Sequence, residues 1–193
     1  MAGKIVVTEF VSLDGVMEDP GGAEDFKHGG WTFEFARGDE GDKFKLDETM
    51  GSAALLLGRV TYEGFADAWP SRSGDFADKF NTMPKYVVSS TLKEPPWTNS
   101  TVLAGDVGDT VPRLREEVDG DIVVHGSARL VQALLERDLV DELRLMVFPV
   151  VLGAGKRLFH DTNDTKRTMR LVSSRTVGDG VAILIYEPVR EGA

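Results

Sequence analysis

LLLGRVTYE, residues 55–63, is the stretch that decides the fold, because it reads as a buried apolar strand, a glycine turn and the start of a helix. The stretch IVVHGSARL, residues 122–130, has the same form. At such a junction the free backbone N–H groups and the positive end of the helix dipole point at one place. That arrangement suits a phosphate group. Two junctions of this kind predict an α/β fold that binds a pyrophosphate-containing ligand, such as a dinucleotide.

The bulk properties of the chain fit one soluble domain over residues 1–193. The formal net charge is −10, which argues against nucleic acid or an anionic membrane surface as the main partner. The chain has no cysteine, so disulfides, thiolate metal sites and a cysteine nucleophile are excluded. The N-terminal residues show no signal-peptide pattern, and no apolar run approaches the roughly 18 residues of a membrane span. These features predict a cytoplasmic protein.

Strand-like and helix-like segments alternate through residue 137, which predicts right-handed crossovers and a mostly parallel sheet. Asp109 is the expected N-cap of one helix, and Ser127 is a candidate cap of the next. The last two strands are expected to form an antiparallel hairpin around residues 178–180. The predicted strands are 4–10, 53–57, 86–90, 101–103, 121–125, 142–151, 169–177 and 181–188, and the predicted helices are 39–50, 60–69, 75–81, 109–118 and 127–137.

Four stretches, in this order along the chain, resemble one known family: SLDG at 12–15, LGRVTYE at 57–63, HGSARL at 125–130, and DEL at 141–143 with PVVLGAGKRLF at 149–159. They are similar to the dihydrofolate reductase superfamily, and most closely to the reductase domain of riboflavin biosynthesis enzymes, the RibD C-terminal domain, as a stand-alone protein. The resemblance implies a three-layer dihydrofolate reductase-like fold with a central, mostly parallel mixed sheet and a C-terminal antiparallel hairpin. It also implies NADPH as the cofactor and a homodimer as the assembly.

The resemblance carries cofactor-binding roles onto nine residues. The first turn would contact cofactor phosphates, the second would lie against the pyrophosphate, and a hydroxyl-rich segment between them would lie near the adenosine ribose. A planar, permanently charged guanidinium in the first turn suits a 2′-phosphate. The family often shows two glycines before the second helix, whereas His125 here precedes a single glycine. The nine residues are Gly58, Arg59 and Thr61, then Gly126, Ser127 and Ala128, and Ser89, Ser90 and Thr91.

The resemblance places the turn at Asp14 beside the nicotinamide and substrate, which makes Asp14 the candidate catalytic residue, directly or through a water. Aspartate is also common in turns for backbone reasons. The candidate substrate-binding residues are Trp31, Phe35, Glu40 and Trp69. The three aromatic residues can line a flat heteroaromatic site, although packing at the core edge or a dimer contact explains them equally well. Glu40 also suits a helix start, where acids favour the dipole.

Several other chemistries are disfavoured. His28, His125 and His160 are scattered without ligand spacing, so no metal site is expected. The chain has no Walker motif, no G-x-S-x-G elbow and no G-x-G-x-x-G fingerprint. Without cysteine it lacks the zinc pattern of a deaminase, so it cannot be the bifunctional riboflavin enzyme.

The sequence therefore predicts an NADPH-dependent reductase of a small, heterocyclic substrate. The alternative is a non-catalytic nucleotide- or ligand-binding protein on the same fold. Homodimerisation is also expected from the apolar segment 143–151 and its neighbours.

Overall fold

The computed structural model describes residues 2–159 and 166–190, so His160 lies outside the described part of the chain. The described chain forms one eight-stranded sheet with helices on both faces. The strands are β1 (Lys4–Ser12), β2 (Ser52–Gly58), β3 (Lys85–Val88), β4 (Ser100–Leu103), β5 (Asp121–Val124), β6 (Glu142–Phe148), β7 (Met169–Val177) and β8 (Val181–Pro188). The helices are α1 (Gly38–Gly51), α2 (Arg59–Ala68), α3 (Asp75–Thr82), α4 (Val107–Glu117) and α5 (Ala128–Glu136), and a short 3₁₀ helix covers Trp31–Glu34.

The sheet confirms the predicted topology. Its strand order is β4-β3-β2-β5-β1-β6-β8-β7. The first six strands of the chain pair in parallel, and β8 runs antiparallel to both β6 and β7. Because parallel strands end at one edge, the turns that follow β1, β2, β3, β5 and β6 all lie along the carboxyl edge of the sheet.

Successive side chains of each strand point to opposite faces of the sheet, and the helices that pack against the two faces form two outer layers. On one face, α4 and α5 pack through Val111, Leu114, Leu130 and Leu134 against a cluster that includes Ile5, Val7, Leu56 and Val124. On the other face, Tyr62 of α2 and Phe80 of α3 pack against Val6, Leu55 and Val123. Helix α1 covers this second face too, since its Lys45 bonds to Thr8 of β1, two residues after Val6. The three-layer fold is therefore as predicted.

Helix α4 begins earlier than expected. The N-cap is Asp106, whose side chain accepts a hydrogen bond from the Gly108 N–H at 2.7 Å, and not Asp109. Asp106 also forms an ion pair with Arg137 at 2.9 Å, which fixes its carboxylate at the helix start. Pro112 consequently lies further inside the helix than the first turn.

Strand β6 is shorter than predicted and ends at Phe148, just before Pro149, which has no N–H to continue a ladder. It lies between β1 and β8, so both of its edges are already paired. Leu143 and Leu145 are buried. Segment 143–151 therefore serves the core of this chain through most of its length, and homodimerisation stays a prediction.

Within the described ranges, none of the helices is both long and apolar enough to cross a membrane.

Candidate functional site

The two predicted junctions meet at the carboxyl edge of the sheet. Strands β2 and β5 are parallel neighbours, so the turns that follow them lie side by side. A Cβ atom added to Gly58 would overlap Oγ of Ser127. A Cβ atom added to Gly126 would lie 3.1 Å from Oγ1 of Thr61, and Gly126 has a φ of +75°, which favours glycine. The contact between the turns thus depends on both glycines.

The starts of α2 and α5 carry N–H groups without a side-chain cap. Gly58 is the N-cap of α2, and Ser127 is the N-cap of α5, yet neither makes a side-chain cap hydrogen bond. The alternative reading of Ser127 as a capping side chain is therefore not supported by a hydrogen bond. The helix starts leave backbone donors for an anion at the point where the two turns touch.

Arg59 is the first residue of α2 and directly follows Gly58, so it places a cation next to the first glycine turn. Its side chain is 44% exposed and forms an ion pair at 2.8 Å with Glu63, one turn along the helix. An exposed pair of this kind is weak. The guanidinium can therefore exchange its carboxylate partner for a phosphate.

The hydroxyl-rich segment lies where β3 ends, beside the end of β2. Oγ of Ser89 accepts hydrogen bonds from the N–H groups of Thr91 at 3.1 Å and Leu92 at 3.0 Å. Ser90 and Thr91 are exposed. This turn borders the same edge of the sheet as the two glycine turns, as the adenosine-ribose prediction requires.

Asp14 connects two loops. Its Oδ1 accepts from the Ser12 hydroxyl at 2.7 Å and from the Leu152 N–H at 3.1 Å, and its Oδ2 accepts from the Gly153 N–H at 2.9 Å. These hydrogen bonds, that from Ser12 first, lower the pKa of Asp14 to about 2. At neutral pH the carboxylate is ionised and holds no proton to donate. Its predicted catalytic role stays a prediction, with orientation of a water as the form that this geometry favours.

The predicted substrate-binding residues do not form one cluster. Trp31 is fully buried, packs edge-on against Phe148 at 5.5 Å, and donates its indole N–H to the Glu18 carbonyl at 2.9 Å. Phe35 packs against the same Phe148 ring at 6.2 Å. Direct contact between Trp31 and a substrate would require the segment that covers Trp31 to move.

The other two predicted substrate residues lie away from this cluster. Glu40 is exposed in the first turn of α1. Trp69 follows α2 and stacks on Phe76 at 5.2 Å, within the aromatic group beneath α2 and α3. All four substrate contacts stay predictions.

Sequence reasoning missed a buried polar network under α1. Lys45 donates to Oγ1 of Thr8 at 2.8 Å and forms an ion pair with Glu48, and Thr8 donates to Glu48 at 3.1 Å. The other oxygen of Glu48 lies 3.4 Å from Arg144 of β6. Burial alone would raise the pKa of Glu48, but the nearby charge of Lys45 leads the effects that lower it. The available signal was Thr8, a polar residue that directly follows the apolar run Ile5–Val7 in the buried part of β1.

Two further titratable groups flank β1 and β5. Burial raises the pKa of Glu9 to about 8, even though Glu9 accepts a hydrogen bond from the Gly126 N–H at 2.5 Å. Glu9 is therefore mostly protonated at neutral pH beneath the second glycine turn. Burial, with the charge of Lys45 second, lowers the pKa of His125 to about 3, so its imidazole is neutral.

Solved structures share the fold. A protein from Shewanella sp. PV-4 that is named for riboflavin biosynthesis superposes with a TM-score of 0.77 at 22% identity, over 98% of this chain and 100% of that one. A diaminohydroxyphosphoribosylaminopyrimidine deaminase/5-amino-6-(5-phosphoribosylamino)uracil reductase from Thermotoga maritima superposes with a TM-score of 0.62 at 15% identity. That match covers 97% of this chain and 57% of the Thermotoga protein.

Two proteins of Bacillus subtilis (strain 168) are similar along nearly their whole length. YwjB is 30% identical over 184 residues, covering 95% of this chain and 97% of YwjB. YyaP is 28% identical over 196 residues, covering 95% of this chain and 94% of YyaP. Both are described as uncharacterized. The family described as the RibD C-terminal domain matches residues 3–183, and the chain belongs to that family.

Proposed function

We propose that this protein is an NADPH-dependent reductase of a small heterocyclic substrate. The observation that carries the proposal is the contact between two glycine turns, each followed by a helix whose first N–H groups have no side-chain cap. Family membership supports a reductase-like function. So does the fold shared with the Thermotoga protein, whose name includes a uracil reductase activity.

The residues of the two turns fit a dinucleotide. The N–H groups at the starts of α2 and α5, with Gly58, Thr61, Gly126, Ser127 and Ala128, would hold the pyrophosphate. The guanidinium of Arg59 would bind the 2′-phosphate that distinguishes NADPH from NADH. Ser89, Ser90 and Thr91 would border the adenosine ribose. When bound, NADPH supplies the hydride.

The remaining tasks of the chain are to position the substrate and to exclude water. The carboxyl edge offers the turn at Asp14, tied through its carboxylate to the backbone of residues 152–153. This bond holds the two loops together over one side of the site. A substrate with a ring C=N or C=O group would accept the hydride at the carboxyl edge of the sheet.

A non-catalytic nucleotide-binding protein is the second candidate function. The observation in its favour is the lowered pKa of Asp14, which leaves that carboxylate without a proton at neutral pH. A reductase of a C=N or C=O group needs a proton as well as a hydride. The two candidates therefore agree on the nucleotide and differ on turnover.

Gly58→Ala, with Gly64→Ala as its matched control, tests the proposed site. Gly58 has a φ of −74°, so alanine meets no backbone strain there, and the new Cβ would push Ser127 out of place. Gly64 lies in α2, and a Cβ added there meets nothing within 4 Å. In a fluorescence titration with NADPH and NADH, we expect Gly58→Ala to weaken NADPH binding more than tenfold and Gly64→Ala to leave it unchanged.

Equal binding of NADPH by both variants and the parent protein would overturn the assignment of the site. Turnover separates the two functions. Oxidation of NADPH, followed at 340 nm with a pterin, an aminopyrimidine and a quinone, supports the reductase. Tight NADPH binding without oxidation by any of the three would favour the binding protein.

A further inference from the structure

His125 lies at the carboxyl end of the central strand β5, on the face of the sheet that α1, α2 and α3 cover. It follows Val124 directly at the end of β5, and it projects on the same face as Val123, toward α1, α2 and α3. Its ring packs edge-on against Phe80 of α3 at 5.4 Å and lies 6.4 Å from Phe65 of α2. The charges of Lys45 and Glu48, both on α1, act on its imidazole. His125 therefore lies between the charged residues of α1 and the aromatic residues of α2 and α3.

The imidazole has unused hydrogen-bonding capacity. Among the described residues, none makes a hydrogen bond to its ring nitrogens, and the residue is partly exposed. A neutral imidazole carries one donor and one acceptor. A polar group in a largely apolar surrounding without a protein partner calls for water or a ligand.

The charged neighbours of His125 do not meet this need, because they bond to one another. Lys45 is held by Thr8 and Glu48, and Glu48 is held further by Arg144. This network fixes the ammonium and the carboxylate under α1 and leaves the partly exposed imidazole without a hydrogen-bond partner among the described residues. The wall opposite α1 is aromatic, formed by Phe65 and Trp69, which are both partly exposed and pack at 6.2 Å.

We propose that His125 contacts the substrate directly and hydrogen-bonds a polar ring atom of a flat heterocycle that lies against Phe65. This rests on the proposed reductase function, and it deepens that proposal by naming a specificity-determining residue. The neighbouring Gly126–Ser127 turn is the proposed pyrophosphate contact, so a ligand on His125 lies next to a cofactor held by that turn. The recognised substrate class is a planar ring with a hydrogen-bond donor or acceptor at its edge.

The test follows the histidine ring signals by NMR in protein labelled at its histidines. The NADP⁺-saturated protein is titrated with 5,6-diaminouracil. We expect the His125 signal to shift saturably. We expect the signal of His28, which is exposed in the loop before α1, to stay in place. His125→Phe keeps a ring of similar shape and removes both nitrogens, so it should weaken binding of the probe about tenfold. His28→Phe should leave binding of the probe unchanged.

The two proposals fail in different ways. An unmoved His125 signal up to millimolar probe, or equal affinity of His125→Phe and the parent protein, overturns the role of His125. If NADPH still binds in that case, the reductase proposal survives. Failure of NADPH to bind, together with a saturable His125 shift when the probe is added without nucleotide, overturns the reductase and leaves the heterocycle site standing. A thermal melt of His125→Phe close to that of the parent protein confirms that the variant is folded.

Discussion

Glu63 is predicted to restrain NADPH binding through its ion pair with Arg59. The two side chains lie 2.8 Å apart on the first turns of α2, and both are nearly half exposed. To bind a 2′-phosphate, the Arg59 guanidinium must leave this carboxylate. Glu63→Gln removes the competing charge while it keeps the shape of the side chain.

The size of the effect follows from the exposure of the pair. Exposed ion pairs contribute about 0.2–1 kcal/mol, so release of Arg59 should raise NADPH affinity about 1.5- to 5-fold. Removal of Arg59 forfeits a charged hydrogen bond of about 1.5–3 kcal/mol but also abolishes the ion pair. The net loss for Arg59→Ala is then about 1–2.5 kcal/mol, or about 5- to 70-fold in NADPH affinity. NADH has no 2′-phosphate, so its affinity should change less than about twofold.

The assay is a fluorescence titration of both nucleotides at low and high salt. The gain in Glu63→Gln should shrink at high salt, because screening already weakens an exposed pair. Arg170→Ala is the control, since Arg170 of β7 forms an exposed ion pair with Glu187 of β8, and these strands lie at the far edge of the sheet from β2. The reasoning is refuted if Arg59→Ala weakens NADH and NADPH equally, or if Glu63→Gln lowers NADPH affinity.

Three further predictions concern stability, and denaturant unfolding checks each of them. The buried ammonium of Lys85 donates to three backbone carbonyl oxygens, and Lys85→Met leaves all three without a donor. The free energy of unfolding should fall by about 3 kcal/mol, and an unchanged value would contradict this prediction. Asp14→Asn should lower the free energy of unfolding at pH 5, because the hydrogen bonds that lower the pKa of Asp14 stabilise the folded state while its carboxylate is ionised. The difference in free energy of unfolding between the variant and the parent protein should vanish as the pH falls from about 4 to about 2. The pKa of Glu9 is raised to about 8, so the folded state holds a proton that the unfolded state has lost, whereas the lowered pKa of His125 gives stability the opposite slope below about pH 6.5. Stability should therefore fall between about pH 6.5 and 8; Glu9→Gln keeps an oxygen for the Gly126 N–H and should abolish that fall, and the same fall in both proteins would show that Glu9 is not its source.

Local sequence was enough for the layers of the fold. Alternating strands and helices predicted the parallel sheet, and residues 178–180 marked the C-terminal hairpin, which the structure confirms. The start of α4 could not be predicted, because two aspartates competed for the cap. Asp106 takes that position and is held by Arg137, which directly follows α5 and is 31 positions away.

The site was only partly readable. The two glycine turns could be predicted to meet, since each follows a strand of one parallel sheet. The loop connection of Asp14 could not, because its partner Leu152 is 138 positions away. The surroundings of His125 depend likewise on Phe65, Phe80 and Lys45, which lie on three other helices, and no local pattern of residues 122–130 reports them.

The contact of Gly58 with Ser127 has a consequence for assembly of the chain. Gly58 ends β2 and Ser127 follows β5, and these two strands are neighbours in the sheet, although β3, β4 and the three helices α2, α3 and α4 lie between them along the sequence. Half of the proposed nucleotide site therefore lies early in the chain, and the other half follows β5, which must insert between β2 and β1. Such non-local pairing is the slow part of folding a parallel sheet. A nucleotide that bridges the turns would bind only molecules in which β5 has been inserted, and would shift the folding equilibrium toward the completed sheet.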